Sequence, residues 1–268
     1  MAKAPVKTEE NLPATTAGNV PAFLQEAVAA HAGEGTSDLQ EDNLVPLIYV
    51  LQAQSPQCNK RSPEYVDQAE AGSIWLRNSG LPAVNGEEGI LFQPCYFEKD
   101  WVEWVPRDSG GGYAGRHKDR PAEAKEVPDP KNPAKTQWTL PNGNTVAETR
   151  YHIGYVILDD GSTMPYVIPM SSSGHTVSRG WMFMMNSKQL GGNRAPSYAC
   201  LYRLKTKERS NAAGTWFTWD VTDAGWVTTQ ADFDRGADLH KAFALGEKQV
   251  DTAAPQDEEA PHGENAAM

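Results

Sequence analysis

Residues 147–170, AETRYHIGYVILDDGSTMPYVIPM, decide the fold, because they have the pattern of two β-strands joined by a short turn. Residues 151–158 are rich in the β-branched and aromatic side chains that strands favour. Residues 159–162 are polar, and Gly161 tolerates the positive φ that tight turns require. Residues 164–170 then return as the second strand. The stretch therefore predicts a β-hairpin at the centre of an antiparallel sheet.

Further strands are predicted on both sides of this hairpin. Residues 45–52 form an apolar run, which is typical of a strand but also fits a short helix. In the predicted strand over 89–97, Pro94 indicates a bulge or a sheet edge. Over 101–105, the period of two puts Trp101 and Trp104 on opposite faces. The other predicted strands cover residues 72–76, 138–140, 145–149, 198–207 and 215–221.

Turn signals separate the strands. Asn142-Gly143 is a strong hairpin signal, and residues 211–214 are the predicted turn between the last two strands. Residues 106–133 are rich in Gly, Pro and charged side chains, and they are predicted to form one long loop. A loop of this length is usually functional or disordered.

Helical periodicity is found in three places. Residues 175–190 and 229–245 repeat apolar side chains at spacings of three and four, so each is predicted to be an amphipathic helix. Residues 20–31 form a shorter candidate helix with a narrow apolar stripe, which either docks on the protein's own core or binds a partner. The elements together predict a mainly β protein of the α+β class. We expect an OB-like antiparallel barrel or sheet with two or three peripheral helices and disordered termini.

The net charge of −11 is concentrated at the two ends of the chain. Residues 1–43 hold two lysines and seven acidic residues, and residues 246–268 hold one lysine and six acidic residues. Both ends have too few apolar residues to fold. We therefore expect a flexible acidic segment over 1–43, a single β-rich nucleic-acid-binding domain over 44–245 and a disordered acidic tail over 246–268. Because the central part is almost neutral, the acidic balance does not exclude a nucleic-acid partner.

The three cysteines, Cys58, Cys95 and Cys200, are far apart and form no CxxC motif. This spacing argues against a disulfide framework or a zinc site and predicts reduced thiols. The start of the chain lacks the basic-then-apolar pattern of a signal peptide, and no apolar run approaches the ~20 residues that span a bilayer. We expect a cytoplasmic protein with no membrane partner, no metal and no other cofactor.

No catalytic motif stands out. Asp159 and Asp160 are interpreted as turn residues, and the serines of 171–173 as helix caps rather than as partners of His175. The glycine-rich run 110–115 lacks the GxxxxGK[ST] pattern of a phosphate loop. The six histidines show no HExxH spacing. We therefore expect no catalytic residues and a protein that is not an enzyme.

Basic and aromatic side chains alternate in two parts of the chain, which we call the first arm (residues 101–120) and the second arm (residues 198–219). Single-stranded nucleic acid is bound by stacking of bases on aromatic rings, worth roughly 1–3 kcal/mol per base, and by cations that follow the phosphates. The candidate nucleic-acid-binding residues are Trp101, Trp104, Arg107, Tyr113, Arg116, Lys118, Arg120, Arg203, Lys205, Lys207, Arg209 and Trp216.

In the second arm a strand places Arg203, Lys205, Lys207 and Arg209 on one face, with Tyr202 and neighbouring apolar residues on the other. Such a row would follow a phosphate backbone. A solvated face above a core of aromatic rings explains the same pattern, and both interpretations stay open. The acidic tail would either compete for this surface and recruit partners, or only increase solubility.

The chain resembles phage-encoded single-stranded-DNA-binding proteins. The resemblance rests on VPLIYVLQAQSPQ (45–57), WVEWVPRDSGGGYAGRH (101–117), VILDDGSTMPYVIPMSSS (156–173) and the acidic tail. It implies an OB-type barrel that binds single-stranded DNA in phage replication or recombination, within the host cytoplasm. It also implies recruitment of replication or recombination proteins through the tail. This chain ends in Ala266-Ala267-Met268, whereas many such tails end in an aromatic residue.

Two other functions remain open on the sequence. The first is a phage structural or assembly protein whose β-domain self-associates into a homo-oligomer. The second is a nucleic-acid-processing enzyme, which requires a cluster of acidic side chains that the sequence does not reveal.

Overall fold

The computed structural model describes residues 44–130, 132–211 and 214–251. These residues form a mainly β structure with two helices, which confirms the predicted fold class at that level. The predicted helix over 20–31, the rest of the N-terminal segment and residues 252–268 of the acidic tail lie outside the described residues.

The elements follow one another along the chain as short edge pairs, long central strands and two helices. In chain order they are β1 (Leu44–Val45), β2 (Ile48–Val50), β3 (Ile74–Leu76), β4 (Ile90–Trp104), β5 (Tyr113–His117), β6 (Lys125–Asp129), β7 (Asn132–Thr139), β8 (Thr145–Ile157), β9 (Thr163–Ser171), α1 (Gly174–Ser187), β10 (Gln189–Leu190), β11 (Asn193–Arg194), β12 (Cys200–Asn211), β13 (Gly214–Trp226), α2 (Gln230–Ala244) and β14 (Gln249–Val250).

The main sheet is built on the antiparallel pair β4 and β8. Their register runs from Leu91 opposite Ile157 to Trp104 opposite Thr145. The strand order is β13-β12-β4-β8-β7-β6, with β5 also paired to β4 and β9 also paired to β8. The sheet curls into a half-barrel. The predicted central hairpin is confirmed as β8 and β9, whose last pair before the turn is Ile157 opposite Thr163.

A β-bulge at Cys95 interrupts β4 where α2 packs against the strand. Pairing with β8 steps from Pro94 to Tyr96, so Cys95 has no partner in the ladder. Its freed carbonyl accepts a hydrogen bond from His240 Nδ1 of α2, at 3.0 Å. Of the two readings of Pro94, a bulge is the one found.

A glycine allows α2 to approach the sheet closely. A Cβ atom at Gly236 would lie 2.7 Å from both Gln93 Nε2 and Tyr198 Cβ, which is too close for any side chain. Gln93 Nε2 fills this contact and donates to the carbonyls of Tyr198 and Asp232, at 2.7 and 2.9 Å. One buried amide therefore ties the central strand to the helix and to the turn that precedes β12.

Each face of the sheet is covered by one helix. On the first face, which we call the α1 face, the helix buries Ser178, Trp181 and Met185. On the opposite face, the α2 face, the helix buries Leu239 and Phe243. A third, smaller apolar cluster lies at the far end of the sheet and contains the buried residues Ala124, Leu140 and Val146.

The outer edge of β13 is closed in part by a side chain. Gln52 Nε2 donates to the carbonyl of Phe217 at 3.0 Å, and the Phe217 amide donates to Gln52 Oε1 at 2.9 Å. The amide of Gln52 therefore takes the place of a neighbouring strand at this residue. Because an unpaired strand edge can pair with another chain, this contact protects the edge locally.

The prediction of a long loop over 106–133 is wrong. Residues 113–117 form β5, residues 125–129 form β6, and β7 begins at Asn132. These strands have little apolar alternation, so the sequence carries no strand signal there. They are held by pairing with β4 and β7 rather than by a buried face. Only the short segments between them remain without regular structure.

Several other boundaries also differ from the predicted ones. The strands predicted over 89–97 and 101–105 form the single strand β4, and those predicted over 145–149 and 151–158 form the single strand β8. The apolar run 45–52 forms two short strands, because Pro46 lies between β1 and β2. Helix α1 ends at Ser187 rather than at residue 190. Residues 246–251, predicted to belong to the tail, include β14, whose Val250 is buried beside Val45.

No helix in the described part of the chain is both long and apolar enough to cross a membrane.

Candidate nucleic-acid interface

The two predicted arms lie at opposite ends of one strand. Arg203 in the second arm is paired with Leu91 of β4, whereas Arg116 in the first arm is paired with Val102. Leu91 and Val102 are eleven residue steps apart on β4, which corresponds to about 35 Å of extended chain. Helix α2 packs on the same face between them, against Tyr96. The structure therefore does not join the two arms into one continuous groove.

The second arm forms the predicted row on β12. Tyr202 and Leu204 are fully buried on the α1 face, as expected for alternate positions of a strand. Arg203 and Lys205 point to the opposite side and are partly exposed. Lys207 and Arg209 continue the row as exposed residues, and Trp216 lies directly across from Arg209 on β13.

The four cations of this row form no ion pairs with the described carboxylates. No ion pair among the described residues includes Arg203, Lys205, Lys207 or Arg209. Asp220 is paired in register with Lys205 across the hairpin, but no salt bridge joins them. The row is thus a local concentration of positive charge on a protein whose overall charge is negative.

Residues that sequence reasoning missed extend this surface across the sheet. The register places Leu91 beside Arg203, and Ile157 beside Leu91, all on the α2 face and all partly exposed. One pair further along β8, the ring of Tyr155 lies 5.2 Å from the guanidinium carbon of Arg235. These contacts depend on strand register, so no local pattern could have identified them.

Two cations of the first arm, Arg116 and Lys118, are paired with carboxylates. Arg116 Nη2 donates to Glu98 Oε1 at 2.9 Å, and Arg116 Nε forms a second ion pair with Asp100. Lys118 Nζ lies 3.4 Å from both Glu98 and Asp100. Partial burial alone would lower the pKa of Lys118, but the carboxylates of Asp100 and Glu98 raise it. Asp100 is only 1% exposed, so this cluster belongs to the packed junction of β4 and β5 rather than to a free cationic surface.

The aromatic rings of the first arm contact one another. Trp104 and Tyr113 meet edge to face, with ring centroids 6.2 Å apart. Trp101 meets Trp138 in the same way at 6.3 Å, and the guanidinium carbon of Arg120 lies 3.7 Å from the Trp138 centroid. Trp101 and Trp104 belong to different apolar clusters, which confirms that they point to opposite faces.

His117 and Glu103 of the first arm also have hydrogen-bond partners. His117 Nε2 lies 2.8 Å from Glu103 Oε2, and Asn142 donates to the same carboxylate at 3.1 Å. Partial burial alone would raise the pKa of Glu103, but hydrogen bonds from Asn144, His117 and Asn142 lower it. The backbone of Arg107 lies in a short 3-10 turn, and its side chain is outside the described part.

A buried histidine and serine form a pair that the sequence did not suggest. His152 Nε2 lies 2.9 Å from Ser178 Oγ, and the His152 ring stacks on Trp181 with centroids 4.3 Å apart. His152 and Ser178 are 1% and 0% exposed, so neither can reach a substrate in this arrangement. Burial, reinforced by the charge of Arg150, lowers the pKa of His152 to about 3. The pair is therefore a neutral packing contact.

The ring of His175, the histidine weighed for catalysis from the sequence, is also held by a hydrogen bond. Its Nε2 donates to the carbonyl of Glu148 at 2.9 Å, which fixes the ring near the start of α1. Within the described ranges, no group of three or more His, Cys, Asp or Glu residues is arranged to hold a metal ion.

Comparison with known proteins gives one match. Searches of curated proteins and of solved structures found none. A family model described as Pam3 phage gp34-like protein matches residues 9–249, which include both helices and every strand described above except the last residue of β14. The predicted phage origin is thereby confirmed, and the chain belongs to the Pam3 phage gp34-like family.

Proposed function

We propose that this phage protein binds single-stranded DNA without strong sequence preference, acts in phage DNA replication or recombination, and is not an enzyme. The observation that carries the proposal is the row of four unpaired cations on β12. In this proposal the sheet face next to the row serves as the platform for the bases, as in OB-fold proteins. The host cytoplasm is the expected site of action.

The geometry of the row supports a single strand rather than a duplex. Side chains on one face of a strand repeat about every 6.7 Å, so the four cations form one line of roughly 20 Å. A single line of cations can follow one phosphate backbone at a time. Beside Arg203, the partly exposed Leu91 and Ile157 provide an apolar surface for unstacked bases.

The structure changes which of the predicted contacts we expect to contribute most to DNA affinity. Arg203, Lys205, Lys207 and Arg209 become the principal phosphate contacts, because none of them forms an ion pair within the described residues. In the first arm, Arg116 and Lys118 are held by Glu98 and Asp100. We therefore propose that the first arm contributes less to affinity. The remaining candidate residues stay predictions.

A salt titration of oligo-dT binding, measured by fluorescence anisotropy, tests the proposal. With four phosphate contacts, the slope of log K against log salt is expected to be about −2.8, since single strands give roughly −0.7 per contact. The double variant Lys205→Gln/Lys207→Gln should reduce the slope to about −1.4. The matched control is Lys60→Gln/Arg61→Gln, which removes two exposed cations from another surface. Absence of binding at low salt, or equal slopes for both variants, would refute the proposal.

Partners beyond DNA are part of the same proposal. The acidic tail would compete for the cationic row and recruit replication or recombination proteins. Deletion of residues 252–268 should then tighten oligo-dT binding at low salt, because competing negative charge is removed. Unchanged or weaker binding would show that the tail is not a competitor.

The second candidate function is a structural or assembly protein that self-associates. Three large apolar side chains favour it, because Phe183, Leu190 and Leu245 are 74%, 71% and 72% exposed. Light scattering of the full chain with and without oligo-dT separates the two functions. A large assembly that DNA does not change would favour the structural role.

A further inference from the structure

Two glycines lie in the interior of helices, and only one is explained by the fold. Gly236 in α2 is required, since a Cβ atom there would collide with Gln93 and Tyr198. Gly180 in α1 has a different environment, because a Cβ atom there would meet no described atom within 4 Å apart from the adjacent residues and backbone of its own helix. A helix-interior glycine costs about 1 kcal/mol relative to alanine. Nothing in the described residues compensates for this cost at Gly180.

The same side of α1 carries a protruding aromatic ring. Phe183 is 74% exposed and follows Gly180 by three residues, so the two lie on one side of the helix. The opposite side buries Ser178, Trp181 and Met185 in the core. The outward side therefore combines a bare stretch of backbone with a large apolar side chain next to it.

We propose that this side of α1 binds the same side of a second copy of the chain. The two helices pack antiparallel about a two-fold axis, and Phe183 of each copy packs on Gly180 of the other. A two-fold interface requires that residue i contacts residue j and that j contacts i. A bare site and a protruding ring on one helix satisfy this requirement, because each site is filled by the ring of the partner. This proposal does not depend on DNA binding.

The charge of the helix favours this partner. Arg179 is the one formally charged residue of α1 at neutral pH. In the antiparallel pair, Arg179 lies level with residue 184 of the other copy. The two guanidinium groups are then offset by five residues, or about 7.5 Å along the helix axis. The contact consequently forms without burying a charge.

The contact area predicts a weak dimer. A phenylalanine ring that is mostly exposed contributes about 150 Å² per copy when it is covered. Stable interfaces bury about 1,200 Å² or more in total, so the two rings supply only part of that area. We therefore expect association that depends on protein concentration. Salt should strengthen it, because each copy carries a net charge of −11.

Sedimentation equilibrium of the full chain over a range of concentrations tests the proposal. The wild type should show a monomer–dimer equilibrium. Phe183→Ala should weaken the dimer at least tenfold, which corresponds to about 1.4 kcal/mol. Leu245→Ala is the matched control, because Leu245 is equally exposed but lies beyond the end of α2. It should leave the equilibrium unchanged.

Gly180→Ala gives the most specific result, because two measurements should change in opposite directions. The added methyl group meets no described atom of another element of the monomer, so the melting temperature of the dilute protein should rise. The same methyl group separates the two helices, so the dimer should weaken at least tenfold. A wild type that remains monomeric at all concentrations, or a Gly180→Ala variant that dimerises like the wild type, would overturn the proposal.

Discussion

At the scale of single residues, the least expected feature is the burial of polar groups in the centre of the sheet. His152 lies between Phe97 and Trp181 and contacts Ser178, so its imidazole is both buried and partnered. A lone histidine in a strand gives no sign of this in the sequence. The partner lies 26 residues away on α1, and only the packing of helix on sheet brings the two together.

His152 makes stability depend on pH. Its pKa in the folded protein is about 3, against about 6.5 when unfolded, so the unfolded chain takes up the proton first as the pH falls. Stability is fully present above pH 6.5 and decreases between pH 6.5 and 3. The loss should be about 3 kcal/mol by pH 4.5.

Urea unfolding at pH 7 and pH 4.5 measures this contribution. In His152→Gln the side chain cannot titrate but can still bond Ser178, so the decrease between the two pH values should be smaller by that amount. If wild type and variant lose equal stability, His152 is not the group responsible.

Gly236 provides a second prediction at this scale. Gly236→Ala should destabilise the protein by about 1–3 kcal/mol, because the methyl group displaces the amide of Gln93 or the helix itself. Thermal unfolding compared with Gly180→Ala checks it, since both are glycine-to-alanine changes within a helix. Equal shifts in the two variants would mean that Gly236 is not closely packed.

At the scale of elements, the sequence predicted what local pattern determines. The β8–β9 hairpin and the β12–β13 pair follow alternation and turn residues, and the helix start at Thr229 follows capping, since the Asp232 amide donates to Thr229 Oγ1 at 3.1 Å. Strand β5 escaped prediction because its side chains alternate poorly. Its stability comes from pairing with β4 and from ion pairs such as Arg116 with Glu98. The same ion pairs changed the reading of the first arm.

Strand β14 gives a prediction for the end of the domain. A chain ending at residue 245 should lose about 2–3 kcal/mol, because the buried Val250 and its pairing with β1 are removed. A chain ending at Asp251 should unfold like the full protein. Denaturant unfolding of the two truncated chains decides between this boundary and the one predicted from composition. Equal stabilities would show that β14 contributes nothing.

At the scale of the whole molecule, DNA binding and self-association are expected to respond to salt in opposite ways. Binding of DNA to the β12 row should weaken as salt increases, since bound cations on the DNA are no longer released favourably. Pairing of two copies through α1 should strengthen, because repulsion between acidic molecules is screened. Measuring the DNA affinity and the dimerisation constant along one salt series tests both proposals, because the two constants should change in opposite directions.

The pairing of β1 with β14 also has a consequence for synthesis on the ribosome. Leu44 faces Gln249 in a parallel pair, so the first and last described strands are neighbours although about 200 residues separate them. A nascent chain cannot make this contact until residue 251 has left the exit tunnel. Strand β1 therefore waits without this partner until β14 has been synthesised, and the domain can complete its fold only after residue 251 has emerged.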